Sequence, residues 1–398
     1  VGRLKRIVIF ALAAIAVAAG VWFLGSRLMG APDSKENSAR WPFGLGTIDE
    51  VPAHFPQSKI DATAERVKTI GRRLPSGATL RPAVQSYLSK EIARSNDHVE
   101  APPAAIRHFL DEHVAAIDEL RTTLAGGAPP RWAIDINRQS QEPSADLAEQ
   151  LWLVRLLAAD AFDHHSRGDD ATAWRDAETG WMLAQGLWAQ SDLTSRLVAL
   201  SATRMMNAVA AKLSAPAPDW HRQLLAFDAD RAFAAGLQVE AWTAMTAWDL
   251  RRASRKRDDG SRIWETSAEA ILRSANRQRA VTFVASRRTA AEEIGRTHAC
   301  GQPPENRSGL AIADLVRSRV DRFHVEREAT SKLLALKEQR RRSGEWPEAM
   351  PGIADSVCGK DAWSYRREAD GTMSLAFRQR LDEESRSALL PLSFRYPK

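Results

Sequence analysis

The sequence predicts a mainly α-helical protein: an N-terminal transmembrane helix, a bundle of paired helices and a small C-terminal β-cap. Three observations carry this. One long uncharged apolar run, Ile7 to Gly25, lies near the start of the chain. From about residue 60, apolar residues recur at spacings of three and four, the period of one helix face. Near the end of the chain the pattern changes to alternation, the period of a strand. The layout is a basic start over 1–6, an anchor over 7–25, a tether over 26–60, a helical domain over 61–342 and a small α/β cap over 343–398.

The anchor comes first. Arg3, Lys5 and Arg6 precede an apolar run of about twenty residues, long enough to cross a bilayer as a helix. Ala18-Ala19-Gly20 offers a small-residue cleavage site. However, Val21, Trp22, Phe23 and Leu24 continue the apolar run beyond it, and Trp22 and Phe23 suit an interfacial aromatic belt. The reading is a retained anchor. The charge bias places the amino terminus in the cytoplasm. The expectation is a single-pass inner-membrane protein of a bacterium, its bulk periplasmic, meeting membrane lipid through one helix.

The tether holds Pro32, Pro42, Pro52 and Pro56, which fix φ and remove donors, so it does not read as helix. Helical text opens at Ile60, stops at Pro75 and Gly77, and resumes over 81–95. Pro102-Pro103 starts one helix through Leu124, with Ile106, Leu110, Val114, Ile117 and Leu120 on one face. Gly126-Gly127-Ala128-Pro129-Pro130 ends it. Residues 144–167 form the next helix, Gly168-Asp169-Asp170 turns, and Ala171 to Ala189 returns. Leu193 to Leu213 is another, closed by Pro216 and Pro218. Asp219-Trp220 opens a short helix, Asp228 to Arg257 is long, and Gly309 to Arg342 is the last long one. Trp363 to Glu368, a turn at Asp370-Gly371, and Thr372 to Phe377 read as a β-hairpin, with Leu392 to Tyr396 as a third strand.

Composition excludes little but bounds much. The chain has 398 residues, with 56 Lys and Arg against 50 Asp and Glu. That small basic excess is interleaved with acids along helices, and no nucleic-acid partner is expected. Cys300 and Cys358 both sit in turn-like sequence. In an exported domain they are expected to form a disulfide, worth on the order of 4 kcal/mol for so long a loop.

The search for chemistry finds no GxSxG, SxxK or Gly-rich phosphate loop. His164 and His165 with Asp160 and Asp163 make the densest ligand-like cluster, and Asp160 and His164 share a helix face at i,i+4. No third ligand is identifiable in sequence, and His at a helix end also suits the dipole, so no metal is expected. His108, Asp111, Glu112 and His113 are similar with poorer spacing, and His298 lies two residues from Cys300. Glu326 and Glu328 point to different helix faces and make no glycosidase pair. Arg251, Arg252, Arg255, Lys256 and Arg257 form the sharpest basic run, a surface for headgroups or an acidic partner. Trp174, Trp181 and Trp188 are seven apart and form one stripe. It reads as helix packing or as an aromatic groove for a partner.

Two resemblances follow from these residues. The Gly168-Asp169 pair with its flanking alanines resembles a tetratricopeptide hairpin, a TPR-like unit. Leu333 to Leu336, Arg342 to Met350 with Gly344-Glu345-Trp346-Pro347, Asp361 to Tyr365 and Asp370-Gly371 resemble the globular end of pseudopilins. The same layout closes uncharacterised single-anchor helical proteins of acidobacteria and planctomycetes. Gly44 to Ile48, His54 to Pro56 and the Gly168 hairpin are also similar to that group. Ala362 stands where the layout has Pro, and the Gly-rich calcium-type ending is absent. The resemblance implies shape and no activity. The functional expectation is a non-enzymatic scaffold that binds a protein partner, without cofactor. The alternatives are an accessory subunit of a membrane or secretion complex and an envelope hydrolase.

Overall fold

The computed structural model describes residues 50–398 except 56, 76, 78, 135, 137–145, 259–281, 284, 293, 295–310, 380, 382–389 and 398. Over 246–258 and 311–315 it describes the backbone alone. The expected anchor and most of the tether therefore lie outside the described residues. No helix among those described is long and apolar enough to cross a membrane. The chain divides into two compact units, Val1–His54 and Phe55–Lys398. In the first, Val51–His54 forms a single 3-10 turn.

The second unit is mainly helical, with one small sheet. Several of its helices begin where Asp side chains cap them. Asp61 accepts from Ala64 N at 2.7 Å and starts α1, Ala62–Gly71. α2 is Leu80–Ile92. The single helix expected over 103–124 is two, α3 (Ala104–Glu112) and α4 (Val114–Leu124). The break falls at His113, whose Nδ1 lies 2.9 Å from the Phe109 carbonyl oxygen while its ring stacks on Phe109. This local side-chain bond competes with the helical path, and apolar spacing does not reveal it.

The centre is a helical hairpin. Asp146 caps α5 (Leu147–Ser166) and Asp169 caps α6 (Asp170–Trp188), each through a backbone N–H three residues on. Gly168 closes α5 at φ +80. Gly168 N donates to His165 O and Asp169 N to His164 O, both at 2.9 Å. That paired closure is a Schellman ending, which needs a residue free to adopt positive φ. Ala158, Ala161, Ala177 and Ala184 are fully buried, and their small size lets the two helices approach closely. α7 (Leu193–Lys212) follows, capped by Asp192. It presses so near α6 that a Cβ on Gly180 would meet Met206 Sδ at 2.3 Å.

α8 (His221–Ala226), α9 (Ala229–Asp258) and α10 (Ala311–Ser343) complete the described helices used below. α10 joins α7 through buried charge. Glu326 is fully buried and receives both Nε and Nη2 of Arg204, at 2.8 and 2.7 Å, and Nε of Arg322 at 3.0 Å. Arg322 Nη2 also donates to Leu390 O at 2.6 Å. Further along α10, Lys337 Nζ donates to the carbonyls of Ala211, Lys212 and Leu213. It satisfies the open carbonyl end of α7.

β1 (Trp363–Arg367), β2 (Met373–Phe377) and β3 (Ser393–Tyr396) form an antiparallel sheet in that order. Tyr365 faces Leu375, which faces Phe394. Met373, Leu375, Phe394 and Tyr396 are buried, as period two requires. Arg395 N on the β3 edge donates to Ser95 O at 2.8 Å, which covers that edge. Glu328 holds the cap to α10, accepting from Ser356 Oγ, Val357 N and Trp363 Nε1. Glu326 and Glu328 thus serve opposite faces of α10, as their spacing implies.

The Glu326 carboxyl sits below its ordinary value of 4.5. Burial pushes it up, but Arg204 and then Arg322 outweigh burial. The unfolded chain therefore takes up the proton first as pH falls. This stabilisation is complete above about pH 5 and is lost as pH drops through the lowered folded value. Glu326→Gln leaves two buried guanidinium groups without a carboxylate. It is expected to lower stability by about 3–5 kcal/mol, read as a fall in the denaturant midpoint, and to flatten the acid limb of the stability profile.

Candidate functional site

Two places bring chemistry together. The first is a knot of charge where α4 meets the α5–α6 hairpin. Asp160 on α5 and Asp176 on α6 lie eight residues on either side of Gly168, so the turn sets them level. Arg121 enters from α4. Its Nη2 donates to Asp160 Oδ2, its Nε to Asp176 Oδ1 at 2.6 Å, and its Nη1 to exposed Asp118 at 2.5 Å. Asp176 is 0 % exposed, and its other oxygen, Oδ2, is buried with no hydrogen-bond partner.

His164 stands beside the pair, with Nε2 3.8 Å from Asp160 Oδ1 and Nδ1 3.4 Å from Asp169 Oδ2. One ligand atom from each of Asp160, His164 and Asp176 lies within 4.8 Å of the other two. Burial, and then the charge of Asp160, hold the Asp176 carboxyl well above its ordinary value against the pull of Arg121. Burial also raises Asp160, opposed by Arg121 and His164. Burial alone would lower Arg121, but the charges of Asp176 and Asp160 outweigh it.

The neighbours drop out. His165 is tied to Asp170 and to the Asp97 carbonyl, and Asp163 pairs with Arg167 at 2.6 Å. His108 meets Glu112 in solvent, and His113 is spent on the Phe109 backbone. The sequence reading found Asp160 and His164 but missed Asp176 and Arg121, because both come from other helices. The available signal was symmetry: residues equidistant from a tight helical turn face each other.

The second place is a cavity of about 590 Å³ at the far end of α6. Trp188, Phe227 and Pro130 line it with Gln185, while Arg131 and Arg231 stand at its rim. The Trp188 and Phe227 rings are 4.8 Å apart. Trp188 Nε1 donates to buried Thr203 Oγ1 at 2.9 Å, which fixes the ring. Pro130 reaches the cavity because Gly186 has no side chain; a Cβ there would meet the Pro130 carbonyl oxygen at 2.6 Å. Asp228 caps α9 through Arg231 N. The Arg131 and Arg231 side chains are exposed, and neither forms an ion pair among the described residues. A second cavity, between α1 and α4, is lined by small and polar groups, and its Glu119 is already paired with Arg66 and Arg73.

The tryptophan stripe does not itself form an open groove. Trp174, Trp181 and Trp188 are all buried. Trp174 donates to Ser214 O, and Trp181 packs on Phe227. Equal spacing made one stripe, and α7, α8 and α9 cover it; of the three, only Trp188 reaches the cavity. Arg251, Arg252, Arg255, Lys256 and Arg257 lie on the last turns of α9, where side chains are outside what is described. Cys358 is disulfide-bonded. Its expected partner Cys300 lies outside the described residues, as does His298.

Comparison with known proteins found no matching family model, no matching curated protein and no matching solved structure.

Removing Arg121 takes away the guanidinium that bridges the buried Asp160 and Asp176 carboxylates. Arg121→Ala is expected to cost about 3–5 kcal/mol in denaturant unfolding. Arg121→Lys is expected to recover less than half of it, because a single ammonium cannot bridge both carboxylates as the guanidinium fork does.

Proposed function

We propose that this chain is a membrane-anchored, extracytoplasmic helical scaffold that captures a protein partner in the Trp188–Phe227 cavity. The observation that carries the reading is the cavity itself. It has an aromatic and proline floor, and among the described residues its two rim arginines form no ion pair, the Asp228 carboxylate beside them capping α9. Such a site suits an apolar side chain next to an acidic group, inserted from a peptide segment of the partner. The tight α5–α6 hairpin packed against α7 supports a TPR-like helical-pair design, in which loops and helix ends present the binding surface. The apolar run over 7–25 supports the anchor and the inner-membrane location. Membership of a secretion or envelope complex as an accessory subunit is compatible with the same cavity.

One observation favours an envelope hydrolase instead, the convergence of Asp160, His164 and Asp176. That cluster lines neither of the cavities described above, so the scaffold remains the better-supported reading.

The test is a titration of the full chain in mild detergent with short peptides, followed by tryptophan fluorescence. Peptides that join Leu or Phe to Asp or Glu are expected to bind in the range of about 1 μM to 1 mM. Peptides lacking either feature are expected to bind at least tenfold more weakly. Arg131→Glu with Arg231→Glu is expected to cut affinity for the acidic peptides by about tenfold or more while leaving the unfolding midpoint unchanged. Equal binding of all peptides, or no effect of the charge reversal, overturns the reading.

A further inference from the structure

The knot at the hairpin carries more negative charge than Arg121 can match. Three carboxylates, Asp118, Asp160 and Asp176, share that one guanidinium. Arg121 uses Oδ2 of Asp160 and Oδ1 of Asp176. The remaining oxygens are left over. Asp160 Oδ1 faces His164 Nε2, and Asp176 Oδ2 is buried without a donor. A buried carboxylate oxygen without a partner is costly, and a cation is one of the few groups that satisfies it.

We propose that Asp160, His164 and Asp176 bind one divalent transition cation of the zinc class, with Arg121 retained on the opposite oxygens of the two carboxylates. The donor set argues for the class. Calcium and magnesium take oxygen ligands, whereas an imidazole with two carboxylates suits zinc and its neighbours. Tetrahedral zinc ligands at about 2.0–2.2 Å from the ion lie about 3.4 Å apart. One donor atom from each of the three residues lies within 4.8 Å of the other two. Closing to that spacing is a matter of side-chain rotation, since α5 and α6 already face each other. Three protein ligands leave a fourth position for water, reached from the His164 side, where the side chain is 20 % exposed against 9 % for Asp160. The inference does not depend on the partner-binding cavity, which is built from other residues.

The test uses the full chain in detergent, purified without a metal-binding tag and stripped with a chelator. Zinc chloride is titrated by equilibrium dialysis, and cobalt chloride is titrated with visible absorption as a readout of tetrahedral coordination. One chelator-reversible zinc per chain is expected, with a dissociation constant below about 10 μM. His164→Gln and Asp176→Asn are each expected to weaken binding by about 100-fold or more, beyond the 10–100-fold of a lost supporting contact. Asp111→Asn and His108→Gln are expected to stay within about threefold of the unaltered chain, since neither residue belongs to the ligand set or touches Arg121. If Asp176→Asn fails to fold, the partly exposed His164→Gln decides. The proposal is overturned by no saturable zinc binding below about 1 mM, or by unaltered binding in His164→Gln. It is equally overturned by binding that follows His108 instead.

Discussion

The turn at Gly168 is the constraint on which the rest of this structure depends. Its positive φ lets Gly168 N and Asp169 N close the last carbonyls of α5 while the Asp169 side chain opens α6. No residue is left over to slide. The register of two long helices follows from that one position, and Asp160 is brought level with Asp176. The same register buries the alanines of both helices in one seam. A side chain at Gly168 would meet no neighbour, so the requirement there is backbone conformation and not space.

The interior is more polar than its helical pattern suggests, and its polar groups are organised. Arg204, Arg322, Asn207 and Thr330 gather on Glu326, and Lys337 gathers three carbonyls. Buried ion pairs contribute less net stability than their contact energies imply, because desolvation cancels much of the attraction. Their effect here is on uniqueness. A seam of Ala and Leu tolerates small slips between helices. A guanidinium bonded at two points to a carboxylate tolerates none. Arg121 fixes α4 against the hairpin, and Glu326 fixes α10 against α7.

Much of this was legible in the sequence, and the reasons for the remainder are local. Asp61, Asp146, Asp169, Asp192 and Asp228 mark helix starts because their side chains satisfy free N–H groups. The three strands follow from alternation and from Asp370-Gly371. The helix expected through residue 113 fails because His113 bonds the Phe109 backbone, which periodicity does not register. The Trp174, Trp181 and Trp188 spacing identifies one face of α6, but spacing is silent on whether that face is open or covered. Pro129-Pro130 reads as a helix stop. That its carbonyl can rest on α6 depends on Gly186, more than fifty residues later. Asp176 was missed for a related reason: a ligand set assembled across a hairpin has no fixed spacing, only symmetry about the turn.

α6 carries one candidate site at each end. Asp176 and Trp188 are twelve residues apart, which along a helix is about 18 Å. At that distance substitutions act independently unless a rigid element transmits their effect. Between the two lie two close approaches, Gly180 against Met206 and Gly186 against Pro130. A cation drawing α5 and α6 together would therefore raise the stability of the hairpin without altering the cavity, provided α6 holds one position. If α6 has two positions against α7, the same cation would also move Trp188 and Phe227 and change what the cavity accepts. The glycines decide between these cases. Each neighbour is seated in the space a missing side chain leaves, so α6 has one register in which both glycines meet their partners, and the packing favours one position and two energetically separate sites.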